Sequence, residues 1–267
     1  MTTDASFDVI VGLDQTGASR KRGLASAPLP AVVLERLEEA WVVTRIGDLP
    51  ALTPDALEAF GVAVDGRLAI AVDACLGLPA DAIPTGTTFW DWCDAAAAFS
   101  FNGRRYGRDV AEAYFRDLVA TAGGTRRVDH EVGALSVLKN KPFQRNVQTG
   151  SYRVWRDLGE AKCAHGHWIV RWPDARDPCL PLLCEVYPSW GWRTLFQLRS
   201  RQPGALPTLV AGHADMSTEV PLEQLVMSPD HADAMVAAWL GVQHLVWQPT
   251  GPPHDIDRRE GWILGVT

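Results

Sequence analysis

The stretch RLAIAVDACLGLP, residues 67–79, restricts the fold more than any other part of the chain. It is an almost continuous apolar run, and such a run suits a strand covered on both faces. A strand of that kind belongs inside a sheet with a layer on either side. FDVIVGLD (7–14) and LPLLCEVYP (180–188) share its character. PAVVLER (30–36) and AWVVTRI (40–46) are β-branched runs of strand length. HWIVRW (167–172) reads as a further strand, and EGWILGV (260–266) as a last strand or a packed tail. TPDALEAFG (53–61) has a Thr N-cap, Pro at the first helical position and a terminal Gly, so it predicts a short helix. TTFWDWCDAAAAFSF (87–101) and GRDVAEAYFRDLVATAGG (107–124) have helix-forming composition. Residues 125–160 read as basic and irregular, and 249–253 as a Pro-rich turn. This order predicts one α/β domain over 1–267, built on a central sheet, with a large helical and basic insert at about 80–165.

The acids fall at telling places. VIVGLD ends at Asp14, LAIAVD at Asp73 and LPLLCE at Glu185. In an open sheet, sites form in the crevice beyond strand ends. If these strands are neighbours, their carboxylates meet. The helix SPDHADAMVAAWLG (228–241) adds Asp230 and Asp233 one turn apart. Asp230 also suits the helix dipole, because Ser228 reads as the N-cap and Pro229 as the first helical residue. Asp233 has no such excuse, lying deeper among alanines. Structural roles stay open for the others: a turn at Asp14, a satisfied buried acid at Asp73, an edge position at Glu185. Two carboxylates about 4 Å apart repel by roughly 4 kcal/mol at a surface-like dielectric. A cluster therefore takes up a proton or a bridging cation. All-oxygen ligation suits Mg²⁺ or Mn²⁺. Carboxylates holding such ions are a device for phosphodiester hydrolysis.

VIVGLD (9–14), IAVDACLGLP (70–79), CEVYPSWGW (184–192), DHADAMVAAWLG (230–241) and EGWILGV (260–266) together resemble a family of predicted RNase H-like nucleases within the RNase H-like superfamily. The D-x-x-D-A segment (230–234) is also similar to the last catalytic helix of Holliday-junction resolvases of that fold. The resemblance implies a central mixed sheet of five strands, the first three antiparallel, with helices on both faces. It implies metal-binding acids at Asp14, Asp73 and Asp233, with Glu185 and Asp230 in support. The long first connection (14–30) and the insert of more than a hundred residues before Glu185 depart from the simplest pattern. Loops and inserts of this kind set substrate preference.

Net charge is −7, which excludes a uniformly basic nucleic-acid coat but leaves room for a local stripe. LKNKPFQRNVQTGSYRVWR (138–156) mixes Lys139, Lys141, Arg145, Arg153 and Arg156 with Phe143, Tyr152 and Trp155. Cations interleaved with aromatics suit a groove that tracks a nucleic-acid strand, so these five are the candidate substrate-binding residues. Cys163, His165 and His167 would share a face in a strand and offer a soft-metal site. The five cysteines form no CxxC pair, and no secretory signal or membrane span is apparent, which predicts reduced thiols, a cytoplasmic protein and no membrane partner. Two other readings are kept. One is a non-catalytic scaffold that retains the fold. The other is an actin-like ATP-binding enzyme, from whose acid-Gly turn DQTGAS departs.

Overall fold

The computed structural model describes residues 7–15, 27–119, 124–134, 136–138 and 145–267. In chain order the strands are β1 (Val9–Asp14), β2 (Leu29–Leu37), β3 (Ala40–Leu49), β4 (Leu68–Asp73), β5 (Val170–Arg171), β6 (Leu182–Glu185) and β7 (Met216–Thr218). The helices are α1 (Pro54–Ala59), α2 (Phe89–Ala98), α3 (Arg108–Leu118), α4 (Arg127–Val132), α5 (Arg145–His165), α6 (Pro188–Thr194), α7 (Leu206–Gly212), α8 (Glu223–Met227) and α9 (Pro229–Val242).

The strands form one mixed sheet in the order β5-β6-β4-β1-β2-β3-β7. β1, β2 and β3 are an antiparallel meander, while β4 runs parallel to β1 and β6 parallel to β4. The sheet has seven strands, not the expected five. The additions to the five are two short edges: β5, which lies within the strand expected at 167–172, and β7, three residues long, too short for a pattern to register. The run 260–266 forms no strand: it pairs with the sheet by an isolated bridge between Glu185 and Ile263, and Leu264 joins the core on the α9 face.

Strand alternation divides the core. Val11 and Leu13 of β1 and Ile70 and Val72 of β4 join a cluster with Trp92 of α2 and Trp155 and Leu158 of α5. Ile10, Ala69 and Ala71 point the other way, into a cluster with Ala234, Ala238 and Leu240 of α9. The covered faces explain why β1 and β4 are apolar throughout. α9 lies very close to β1: a Cβ on Gly12 would sit 2.0 Å from the Ala234 carbonyl oxygen and 2.4 Å from the Ala238 nitrogen. Glycine in the strand and alanines in the helix permit that approach.

The capping signals operate as read. Thr53 accepts from the Ala56 N–H at 3.2 Å, and Gly61 beyond α1 adopts φ +81°. Ser228 accepts from the His231 N–H at the start of α9. The region 125–160 differs from the expectation. It contains α4 and the 21-residue α5. Gly150 and Gly159 weaken helix propensity there, but each lies at a tight contact: Gly150 against Gln15, and Gly159 against the Cys93 carbonyl in the middle of α2. Packing of α5 on α2 outweighs local preference.

Candidate metal centre at the strand ends

Asp14 and Asp73 are register partners at the adjoining ends of parallel β1 and β4. Their parity places both on the α9 face of the sheet. Gln15, one residue on, packs instead on Gly150 of α5. α9 brings Asp233 to the same face, where it is 3% exposed. The Trp192 indole N–H, from α6, donates to Asp233 Oδ1 at 2.7 Å. Arg201 forms an ion pair with the other oxygen of Asp233 and lies 3.7 Å from Asp230. Asp230 itself is half exposed at the mouth.

The electrostatics follow from burial. Desolvation pushes Asp14 up to about 9, and the charges of Asp73, Asp233 and Asp230 add to the rise. Burial and the Asp233 charge raise Asp73 to about 7, while its hydrogen bond with Asp14 works in the opposite direction. A protonated Asp14 donating to an ionised Asp73 accounts for both directions. Burial raises Asp233 as well, offset by the Trp192 bond and the Arg201 charge. The three acids thus share a face and feel one another's charge, but Asp233 is turned toward Trp192 and Arg201.

Glu185 does not join them. In β6, Leu182 and Cys184 face α9, so Glu185 faces the opposite side with Leu183. A strand buried on both faces offers no alternation from which to read that parity. On its own side Glu185 accepts from the Leu76 N–H at 2.8 Å and from Arg126 Nη1 at 2.6 Å. Arg126 also donates to Asp129, from Nε at 3.0 Å and from Nη2 at 2.6 Å. Its guanidinium reaches Cys75 Sγ at 3.5 Å. Ligand atoms of Cys75, Asp129 and Glu185 lie within 4.8 Å of one another, so this buried group can hold a metal ion. Here the Arg126 guanidinium supplies the positive charge between them.

Two expected substrate-binding residues are structural. Arg156 is fully buried and donates to the carbonyls of Ala96 (3.0 Å), Ala97 (2.9 Å), Phe99 (2.9 Å) and Arg105 (3.2 Å). It adds a donor at the C-terminal end of α2, where the helix ladder runs out. Arg153, also buried, donates to the Pro50 carbonyl at 2.7 Å and lies 3.6 Å from Asp157. Tyr152 and Trp155 belong to the core. The cation–aromatic pattern in this stretch is therefore a helix packing inward. Arg145 opens α5, and Lys139, Lys141 and Phe143 lie outside the described residues. The Cys163–His165–His167 reading also changes. Cys163 and His165 end α5 and His167 follows in a loop, and positions two apart on a helix diverge.

Sequence reasoning missed Arg126, Arg201 and Trp192. Trp192 lay within the CEVYPSWGW motif, but its contact with Asp233 spans 41 residues. Comparisons with protein-family models, curated proteins and solved structures find no significant match. Among the described residues no helix is long and apolar enough to cross a membrane.

Proposed function

We propose that the chain is a divalent-metal-dependent phosphodiesterase of RNase H-like fold acting on nucleic acid. The observation that carries this reading is the Asp14–Asp73 register at the ends of β1 and β4, with Asp233 brought to the same face by α9. The strand order β3-β2-β1-β4-β6, antiparallel in its first three members, supports the fold assignment. The donor chemistry fits Mg²⁺ or Mn²⁺: the candidate ligand atoms are all carboxylate oxygens, and their mutual repulsion in a buried site favours a cation's charge there. Asp14 and Asp73 would hold the ion, Asp233 would complete the set, and Asp230 would face solvent at the mouth. A bound ion of this kind supplies a Lewis acid for the phosphoryl oxygen and acidifies a water. Trp192 fixes the orientation of Asp233, and α9 excludes water from below. Glu185 acts from the other side of the sheet, where with Arg126 it braces the loop after β4 through the Leu76 N–H.

A second reading, a non-catalytic binding protein, draws on the ion pair between Arg201 and Asp233. With Asp233 paired and Asp14 and Asp73 sharing a proton, one net negative charge remains among the three acids, so no ion is required to hold them together. The experiment that separates the two is cleavage of end-labelled single- and double-stranded DNA and RNA in millimolar Mn²⁺. The enzyme reading expects cleavage of at least one substrate, reduced on the order of 10²-fold or more in Asp73→Asn. Absence of cleavage by the wild type, or full activity in the variant, favours the binding protein.

A further inference from the structure

Arg201 stands out among the groups around the acids. It lies in the irregular segment between α6 and α7, in no helix or strand, and its side chain is 42% exposed. Its partner Asp233 is 4% exposed at the side chain and fixed on the opposite edge by Trp192. The pair thus joins a buried, rigid anion to a cation on the surface. Arg201 also lies 3.7 Å from Asp230, so the guanidinium spans both acids of α9. A carboxylate oxygen engaged by guanidinium is not free to ligate a cation, and a guanidinium next to the acids repels one.

We propose that Arg201 is a removable counter-ion of Asp233, a latch that keeps Asp233 from the metal set until a divalent cation displaces it. This rests on the metal-site reading above. Arg201 supplies the positive charge that this buried carboxylate needs. When a cation binds at Asp14 and Asp73, Asp233 exchanges its guanidinium partner for the ion. The side chain of Arg201, already half in water, swings out at little desolvation cost. The exchange makes metal affinity lower than the same acids would show without Arg201.

The test is Mn²⁺ titration by calorimetry on the folded full chain, at one pH, for wild type, Arg201→Gln, Asp233→Asn and the Arg201→Gln/Asp233→Asn double variant. Gln keeps a donor for Asp233, and the double variant leaves no buried unpaired charge, so the set stays informative if one single variant folds poorly. The latch expects Arg201→Gln to bind Mn²⁺ roughly five- to tenfold tighter than wild type. It expects the same substitution to change nothing once Asp233 is Asn. An equal gain in both backgrounds would mean that Arg201 acts only as a general positive charge, and the latch is overturned. Unchanged or weaker binding in Arg201→Gln overturns it too, while wild-type binding leaves the metal site standing. Absence of Mn²⁺ binding in all four proteins removes the metal site and the latch together. Binding only after Arg201 is replaced is the strongest support.

Discussion

Replacing Arg126 by Met tests the reading of the buried network on the far side of the sheet. Arg126 and Asp129 are each 1% exposed, and Glu185 is 3% exposed. The guanidinium serves both carboxylates and touches Cys75. Met fills much of the stem volume, so the loss is mainly one of charge. Removing one partner of a buried ion pair costs about 3–5 kcal/mol, because the remaining charge stays desolvated. Here two carboxylates remain, and that is a large share of a domain stability of about 5–15 kcal/mol. Urea unfolding of wild type and variant at pH 7 reads this cost directly. A loss under about 1 kcal/mol would refute the account of Arg126 as the counter-ion of Glu185 and Asp129.

Four further outcomes follow. In chelator, the wild type should lose stability as pH rises from about 4 toward 9, because folded Asp14 and Asp73 hold a proton that the unfolded chain releases near 3.8. Asp14→Asn should gain on wild type between pH 5 and pH 8 by about 1 kcal/mol or more in urea unfolding, and a relative loss would contradict the shared proton. Gly12→Ala should cost about 1–3 kcal/mol, since its Cβ meets backbone of α9 at 2.0 and 2.4 Å, and Mn²⁺ binding should weaken as Asp233 moves with the helix. A melting temperature equal to wild type would contradict that close approach. Arg156→Met should lower stability by about 2 kcal/mol or more by removing the buried donor that the Ala96, Ala97, Phe99 and Arg105 carbonyls share, with oligonucleotide affinity unchanged in a filter-binding assay; reduced affinity at full stability would restore the groove.

What the sequence revealed depended on local signals. The runs ending in Asp14 and Asp73 carry their strand character in their composition, and their equal position at the run ends anticipated the register. The helix of Asp233 was visible from Ser228 and Pro229. The side on which Glu185 points was not, because LLCE is buried on both faces and has no alternation. α5 was hidden by Gly150 and Gly159, whose purpose is close packing, a property of the fold and not of the segment. Arg153 and Arg156 looked like surface cations because nothing local to them names the distant carbonyls they serve. Arg201 acquires its role from Asp233, 32 residues away, and Arg126, besides its near partner Asp129, from Glu185, 59 residues away.

The most direct test of the metal site is a thermal melt with and without millimolar Mn²⁺ on wild type and on Asp14→Asn/Asp73→Asn. An ion at a hundred times its dissociation constant adds about 2.7 kcal/mol, or a rise of roughly 5 °C or more in a chain of this size. The account predicts that rise in wild type and none in the double variant. No rise in wild type, or an equal rise in both, would contradict the assignment of Asp14 and Asp73 as the site of a divalent cation.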